Sequence, residues 1–353
     1  MSDVLIGVDV GSTRVKAVVV DLDGTEVASA TEATPWIVDG NSVEMDADAL
    51  MVVVRAVIAS ARQQRGDDRV VALGVTGVGE SGVLLDRQGQ PAAPIIAWYD
   101  PRGDVDAIAE ELPELGVAGA GVATFEPIAG ARLAVGGHDH QVAAYVVDAI
   151  EPGNLFESLG TADAITFTVA PPVDTATVLA LVEAGVTIGR TVVADRLMAM
   201  TGLRTGQILE RVARLIGVED RSLRRRLSER AAERTPDPTL RVRLDEGLVT
   251  ISGISDDSDV AALWAAAVAA TDERSIELID LYTKLFDAPT DVVVGGGWLN
   301  DPSIAAAVGR RFPNARRSRF GEPGAVGAAC LAGISAGVLA GPFADTVTTG
   351  GQS

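Results

Sequence analysis

Cysteine is almost absent: Cys330 is the single one in 353 residues. A lone thiol can form neither an intrachain disulfide nor a thiolate zinc cage, so the composition points to a reducing, cytoplasmic compartment. Histidine is nearly as scarce, with only His138 and His140. Basic charge is also in short supply. Lys and Arg number 29 against 49 Asp and Glu, a net charge of −20 that would repel nucleic acid and anionic membranes unless the basic residues cluster. They do so once, at Arg221, Arg224, Arg225, Arg226, Arg230 and Arg234. Leu223, Leu227, Glu229 and Glu233 interleave there at helical spacing, which reads as a solvated amphipathic helix. Neither a basic leader nor a cleavage site is visible at the start. The charge-free run from Ala325 to Ala344 is long enough to span a bilayer, but Gly327, Gly333, Gly337, Gly341, Pro342 and many alanines make it weakly hydrophobic. A close-packed buried helix is expected there.

What is present in quantity is apolar. With 47% hydrophobic residues the chain is globular, and its length suits two domains. The opening segment holds the most information. Ile6, Val8 and Val10 alternate with small or polar residues, and Val15 to Val20 is β-branched, so two strands should flank the turn Gly11-Ser12-Thr13. Glycine allows close approach to an anion, and successive N–H groups in such a turn can point at it. Asp9 at the strand end could hold a hard cation beside the anion. A hairpin that uses Gly-Ser-Thr only for its backbone angles is the competing reading.

Further along, Asp46 or Asp48 should cap a helix over 50–61, and Val70 to Val75 reads as a strand buried on both faces, ending in Thr76-Gly77-Val78-Gly79-Glu80. Val83-Leu84-Leu85 reads as a short strand entering a turn. Leu133 to Val135 should run into Gly136-Gly137-His138-Asp139-His140 and a helix, with Asp139 at the corner. Ser158-Leu159-Gly160-Thr161, followed by a strand from Ala164 to Val169, repeats the opening hairpin. Helices are expected over 206–215 and 261–286, and Asp256 to Asp259 reads as acids at a helix start rather than a calcium loop. Val292-Val293-Val294 breaks into Gly295-Gly296-Gly297-Trp298-Leu299-Asn300, where bare glycines would admit a planar base and a sugar. An ordinary strand-to-helix turn is the alternative.

Taken in order, these segments resemble the FGGY family of carbohydrate kinases. Asp9 to Thr13 with Lys16 resembles its first phosphate motif, Gly136 to His140 the segment of its catalytic aspartate, Ser158 to Thr161 its second phosphate motif, Gly295 to Gly297 its adenosine motif, and Glu322 to Gly333 its closing helix. The resemblance implies an α/β actin-like ATPase (ribonuclease-H-like) fold with two lobes around an ATP cleft: a first lobe at 1–130, a second at 131–341, and a loose tail at 342–353. It implies ATP and Mg²⁺ as cofactors and a small-molecule sugar or polyol as substrate. Asp139 would be the general base, with Asp9 and Asp139 toward the metal. Gly11, Ser12, Thr13, Lys16, Gly160, Thr161, Gly295, Gly296, Gly297 and Asn300 would hold the nucleotide. Glu80, Trp98, Asp100 and Arg102 would hold the acceptor, and His138 and His140 would support or pack. No nucleic acid or membrane is expected as a partner; at most a second copy, in a homodimer.

One departure stands out. Only residues 103–134 separate the Trp98-Tyr99-Asp100-Pro101-Arg102 segment from the aspartate segment, where the family carries a stretch the size of a small domain, so the first lobe reads as truncated. A nucleotide-binding regulator or remnant without kinase activity, and a purely structural protein, therefore stay open beside the kinase.

Overall fold

A computed structural model describes residues 2–40, 42–79, 81–97, 100, 128, 130–160, 162–218, 220–234, 237, 239–245 and 248–343. The described residues fall into two compact units, one drawn from residues 2–146 and 324–343 and the other from residues 147–323.

The first unit is built on β1 (Asp3–Val10), β2 (Arg14–Asp21), β3 (Glu26–Ala33), β6 (Arg69–Gly77) and β8 (Arg132–His138), in the order β3-β2-β1-β6-β8. β1, β2 and β3 pair antiparallel, whereas β1, β6 and β8 run parallel. Val4, Ile6 and Val8 are buried with Val54, Val57 and Ala61 of α1 (Ala47–Gln63), whose N-cap is Asp46. The C-terminal helix, Pro323–Ser335, lies on the same sheet with almost no side chain between. A Cβ on Gly7 would fall 1.7 Å from the Ala325 carbonyl oxygen, and one on Gly74 would fall 1.9 Å from that of Ala328. The glycines and alanines of this segment thus serve close backbone packing, and burial pushes the Cys330 thiol up to about 11. No helix among the described residues is long and apolar enough to cross a membrane. A small sheet of β4 (Ile37–Asp39), β5 (Ser42–Met45) and β7 (Ile95–Ile96) completes the unit, with α2 (Asp139–Val146) following β8.

The second unit carries a six-stranded sheet in the order β11-β12-β10-β9-β15-β16: β9 (Asn154–Leu159), β10 (Asp163–Val169), β11 (Thr187–Arg190), β12 (Leu197–Leu203), β15 (Asp291–Gly295) and β16 (Arg316–Arg317). Around it lie α3 (Thr175–Glu183), α4 (Thr205–Leu215), α5 (Arg221–Ala232), α6 (Val260–Phe286), α7 (Pro302–Arg311) and the hairpin β13 (Arg241–Asp245) with β14 (Leu248–Ser252). Trp264 and Tyr282 of α6 are fully buried. Asp259 caps α6 through the Ala262 amide, so the acids at 256–259 do begin a helix.

The two sheets follow one path. A strand (β1, β9) pairs with its hairpin partner (β2, β10), which pairs with a third strand (β3, β12), and two parallel strands follow on the other side (β6 and β8, β15 and β16). The repeated hairpin seen in the sequence is the first part of this repeat. The compact units divide differently from lobes drawn at 1–130 and 131–341. β8 pairs with β6, so Asp139 belongs to the first unit, as does the C-terminal helix that covers β1 and β6. Residues 83–85 form no strand; a single bridge joins Leu85 to Pro91. The stretch at 101–127 and the tail from 344 lie outside the described residues.

Candidate active site

In the first unit the opening hairpin forms as its pattern requires, with Asp9 opposite Lys16 and Val10 opposite Val15. Directly opposed residues of an antiparallel pair share a face, so the acid and the base project together. The turn is fixed from outside. Thr34 Oγ1 donates to the Gly11 carbonyl at 2.7 Å, Trp36 Nε1 to that of Ser12 at 2.5 Å, and the Thr34 amide to that of Thr13 at 3.0 Å. Three oxygens that would repel an anion are thereby held in bonds to the protein. Gly11 closes the turn through its amide to the Arg14 carbonyl, and a Cβ there would meet that oxygen at 2.9 Å.

Parallel pairing carries Asp9 across the sheet. Asp9 is level with Thr76, and Thr76 with Gly137, so Asp9 and Asp139 reach the same C-terminal strand edge, two strands apart, or about 10 Å. The corner before Asp139 is built by two devices. Gly137 takes φ +115°, and Thr76 Oγ1 donates to its carbonyl at 2.7 Å.

Asp139 is mostly buried, and its described contacts all fall on Oδ1. The His140 amide donates to it at 2.7 Å, His138 Nδ1 lies 2.8 Å away and His140 Nε2 3.8 Å away. The His140 amide is only 3.3 Å from His138 Nδ1, so the shorter bond assigns that amide to Asp139 and leaves Nδ1 as a donor. Burial opposes ionisation of Asp139, but the His140 charge, the His138 hydrogen bond and the His138 charge outweigh it and hold the carboxyl below the ordinary range. The two histidines therefore support the acid, their rings 5.4 Å apart.

Gly324, at the start of the C-terminal helix, stands where a Cβ would be 3.0 Å from Asp9 Oδ2. Asp9 and Asp139 also fit the way magnesium binds, through one or two carboxylates with water and phosphate oxygens; among the described residues no cluster of three or more ligands forms a dedicated cage.

The second unit brings its own candidates together. Gly160 sits in the turn between β9 and β10, its amide donating to the Ala162 carbonyl at 2.9 Å. Gly295 is in register with Ser158, and Gly296, at φ +99°, packs so tightly that a Cβ would lie 2.3 Å from the Leu159 carbonyl oxygen. Only glycine fits there. Around Gly297 a Cβ would meet nothing within 4 Å, which leaves that turn open. Asn300 is used locally: Nδ2 donates to the Gly297 carbonyl at 3.1 Å, and Oδ1 accepts from Arg317 at 2.9 Å.

The sequence reading missed what lies beneath that turn. Ser228 of α5 bonds to Asp301 and, at 2.9 Å, to Ser303, while Trp264 Nε1 donates to Ser303 Oγ at 3.0 Å. Scattered serines give no periodic signal, so only the fold reveals this buried set. Of the acceptor candidates, Asp100 accepts the Val43 amide on Oδ2 at 2.8 Å and so ties β5 to the segment after β7. Glu80, Trp98 and Arg102, and Thr161 of the nucleotide set, lie outside the described residues.

Two sheets with one repeated path, each ending in a glycine-bearing hairpin, define the α/β fold of the actin-like sugar kinases. By structure the chain is similar to gluconate kinase from Lactobacillus acidophilus (TM-score 0.77, 15% identity, 96% of this chain and 90% of that one). It is similar also to xylulose kinase from Rhodospirillum rubrum (TM-score 0.71, 19% identity, 95% and 91%). Residues 4–120 match the N-terminal domain of the FGGY family of carbohydrate kinases. A glycerol kinase from Lactobacillus acidophilus is 32% identical over 116 residues, which are 32% of this chain and 23% of that protein, so the chain matches by sequence about a quarter of that relative's length. The first third of the chain thus resembles this family's N-terminal domain by sequence, and nearly all of the chain shares the fold of its solved sugar kinases.

Proposed function

We propose that this protein transfers the γ-phosphoryl group of ATP to a hydroxyl of a small sugar or polyol, with Asp139 facing that hydroxyl. The observation that supports it most is the corner at 137–140: a buried carboxylate at a strand edge, fixed by His138 and the His140 amide on one oxygen, with Asp9 on the same edge. ATP with magnesium supplies the electrophilic phosphorus and neutralises its charge. The protein's part is positioning and electrostatics.

Asp139 orients the acceptor hydroxyl through its carboxylate and takes the proton as the new O–P bond forms. Held below the ordinary range it is a weak base, which suits a reaction in which the proton leaves late. The Gly11–Thr13 turn, with its carbonyls engaged, and Lys16 receive phosphate oxygens. Gly160 and the glycines at 295–297 receive the remainder of the nucleotide, with Gly297 open to the base and sugar. Gluconate, xylulose and glycerol kinases are among the solved neighbours, so an aldonate, a ketopentose or a polyol is the acceptor class to try.

The test is ADP release from magnesium-ATP over a panel of pentuloses, hexoses, aldonates and small polyols, for the native chain and Asp139→Asn. One acceptor should raise turnover, and the substitution should remove the increase. ATP binding with no acceptor-dependent ADP would instead identify a nucleotide-binding protein without kinase activity.

A further inference from the structure

Beneath the turn at Gly160 the second unit buries more acid than base. Glu157 on β9 is fully buried and Asp163 on β10 is 1% exposed. Glu157 pairs with Ile165, two residues beyond Asp163, so both carboxyls project from the same face of the hairpin and come within hydrogen-bond reach of each other. From α6, Ser275 Oγ donates to Asp163 Oδ2 at 2.8 Å, and Asp272 approaches. From α7, Arg311 bonds to Glu157 Oε1 and to Asp272. Three carboxyls thus face one guanidinium. Glu157 Oε2 and Asp163 Oδ1 are buried acceptors that no donor among the described residues satisfies.

Two such oxygens cannot both stay ionised side by side. A buried acceptor without a donor costs about 1–3 kcal/mol, more if charged, and like charges in a shared site drive one group to keep its proton. A single proton turns the repulsion into an O–H···O bond that satisfies both atoms. Its location follows from the partners. Arg311 holds Glu157 as the anion, whereas Asp163 has only a hydroxyl, so the proton resides on Asp163. The directions agree. Burial raises Glu157 and raises Asp163 well above the usual carboxylate range, the neighbouring Glu157 charge adding to the rise of Asp163.

We infer that Glu157 and Asp163 share one proton and act as a positioning pair, locking the base of the hairpin whose turn, at Gly160, receives phosphate in the reading proposed above. Deprotonation places two negative charges at that base, spreads β9 from β10 and disorders the turn, so nucleotide affinity falls at alkaline pH. The inference rests on that reading only for its effect on the nucleotide; the shared proton itself does not.

Three measurements on the full chain test it. Difference infrared spectroscopy of the native protein at neutral pH should show a protonated-carboxyl C=O band that Asp163→Asn lacks. The unfolding midpoint of the native protein should fall as pH rises, because a group with a raised folded pKa stabilises below its unfolded pKa and loses that contribution as pH passes its folded value. Asp163→Asn, neutral at every pH, should flatten this slope. Calorimetric titration with magnesium-ADP should show native affinity falling by up to about tenfold per pH unit above that value, the limit for one proton. Asp163→Asn should remove the dependence, and Asp163→Ala should bind at least tenfold more weakly throughout. No carboxyl band in the native protein, as when a water in the cavity of about 20 Å³ beside Asp163 bridges two ionised groups, would overturn the pair. So would a pH slope that Asp163→Asn leaves unchanged. If magnesium-ADP binds at no pH while the band and slope are found, the nucleotide reading fails and the shared proton stands.

Discussion

His138 Nδ1 lies 2.8 Å from Asp139 Oδ1, and that contact joins the chemistry proposed for the acid to its titration. Asp139→Asn should lower ATP turnover by about 10²- to 10⁴-fold, the usual worth of a positioned base, with nucleotide affinity much less affected. His138→Ala removes a donor from the charged form, so the carboxyl rises toward its ordinary value and the acid limb of the rate profile moves to higher pH. The sign for stability is the reverse of that for Asp163. A depressed folded pKa stabilises above the unfolded value and loses that contribution as pH falls through the folded one. The native chain should thus lose this contribution only below the ordinary carboxylate range, and His138→Ala should show a shallower acid slope in urea unfolding.

Two glycines separate packing from function. A Cβ on Gly74 would collide with the Ala328 backbone, which cannot yield without moving a helix, so Gly74→Ala should destabilise by about 1–3 kcal/mol or more. A Cβ on Gly79 would instead come within 2.2 Å of the His138 ring, which can swing away. Gly79→Ala should therefore keep most of the stability while lowering turnover about tenfold; denaturant midpoints compared with initial rates decide this.

Trp36→Phe keeps the ring but deletes the donor to the Ser12 carbonyl. A lost hydrogen bond of this kind is worth about 0.5–1.5 kcal/mol, and the loosened turn should weaken magnesium-ATP binding several-fold with kcat little changed.

Ser228→Ala strips the hydroxyl that joins Asp301 and Ser303 under the glycine turn. Leaving those buried groups short of a partner should cost about 1–3 kcal/mol in urea unfolding. Ser228→Cys, which restores only a weak donor, should recover part of it.

The strands and turns around Asp9, Asp139 and Gly160 could be read from the sequence because each is local: β-branched runs, a glycine, an acid at a corner. An acid capping α1, left between Asp46 and Asp48 and resolved by the structure as Asp46, and the small-residue C-terminal helix were readable for the same reason. What could not be read is set by pairing across long separations. The place of β8 beside β6, which moves Asp139 into the first unit, depends on hydrogen bonds between residues some sixty positions apart, such as Thr76 with the Gly137 carbonyl. Thr34 and Trp36 reveal nothing of their hold on the first turn until the chain folds back. The strands β11 and β12 were missed too, since glycine and methionine interrupt any clear alternation in them. Glu157 in an apolar strand and Arg311 near a helix end carry no local sign of their buried ion pair, which joins residues 154 positions apart.

Among the described residues, the bare faces of Gly7 and Gly74 meet the helix Pro323–Ser335, which follows them by some 250 positions or more. During synthesis the first sheet therefore leaves the ribosome with one side uncovered and waits until residues 323–335 have emerged. The second unit, continuous in sequence, can be complete before the first is finished. A nascent chain exposed through residue 323, with the following helix still inside the ribosome, would display one folded body and one adhesive sheet, the kind of surface on which holding chaperones act.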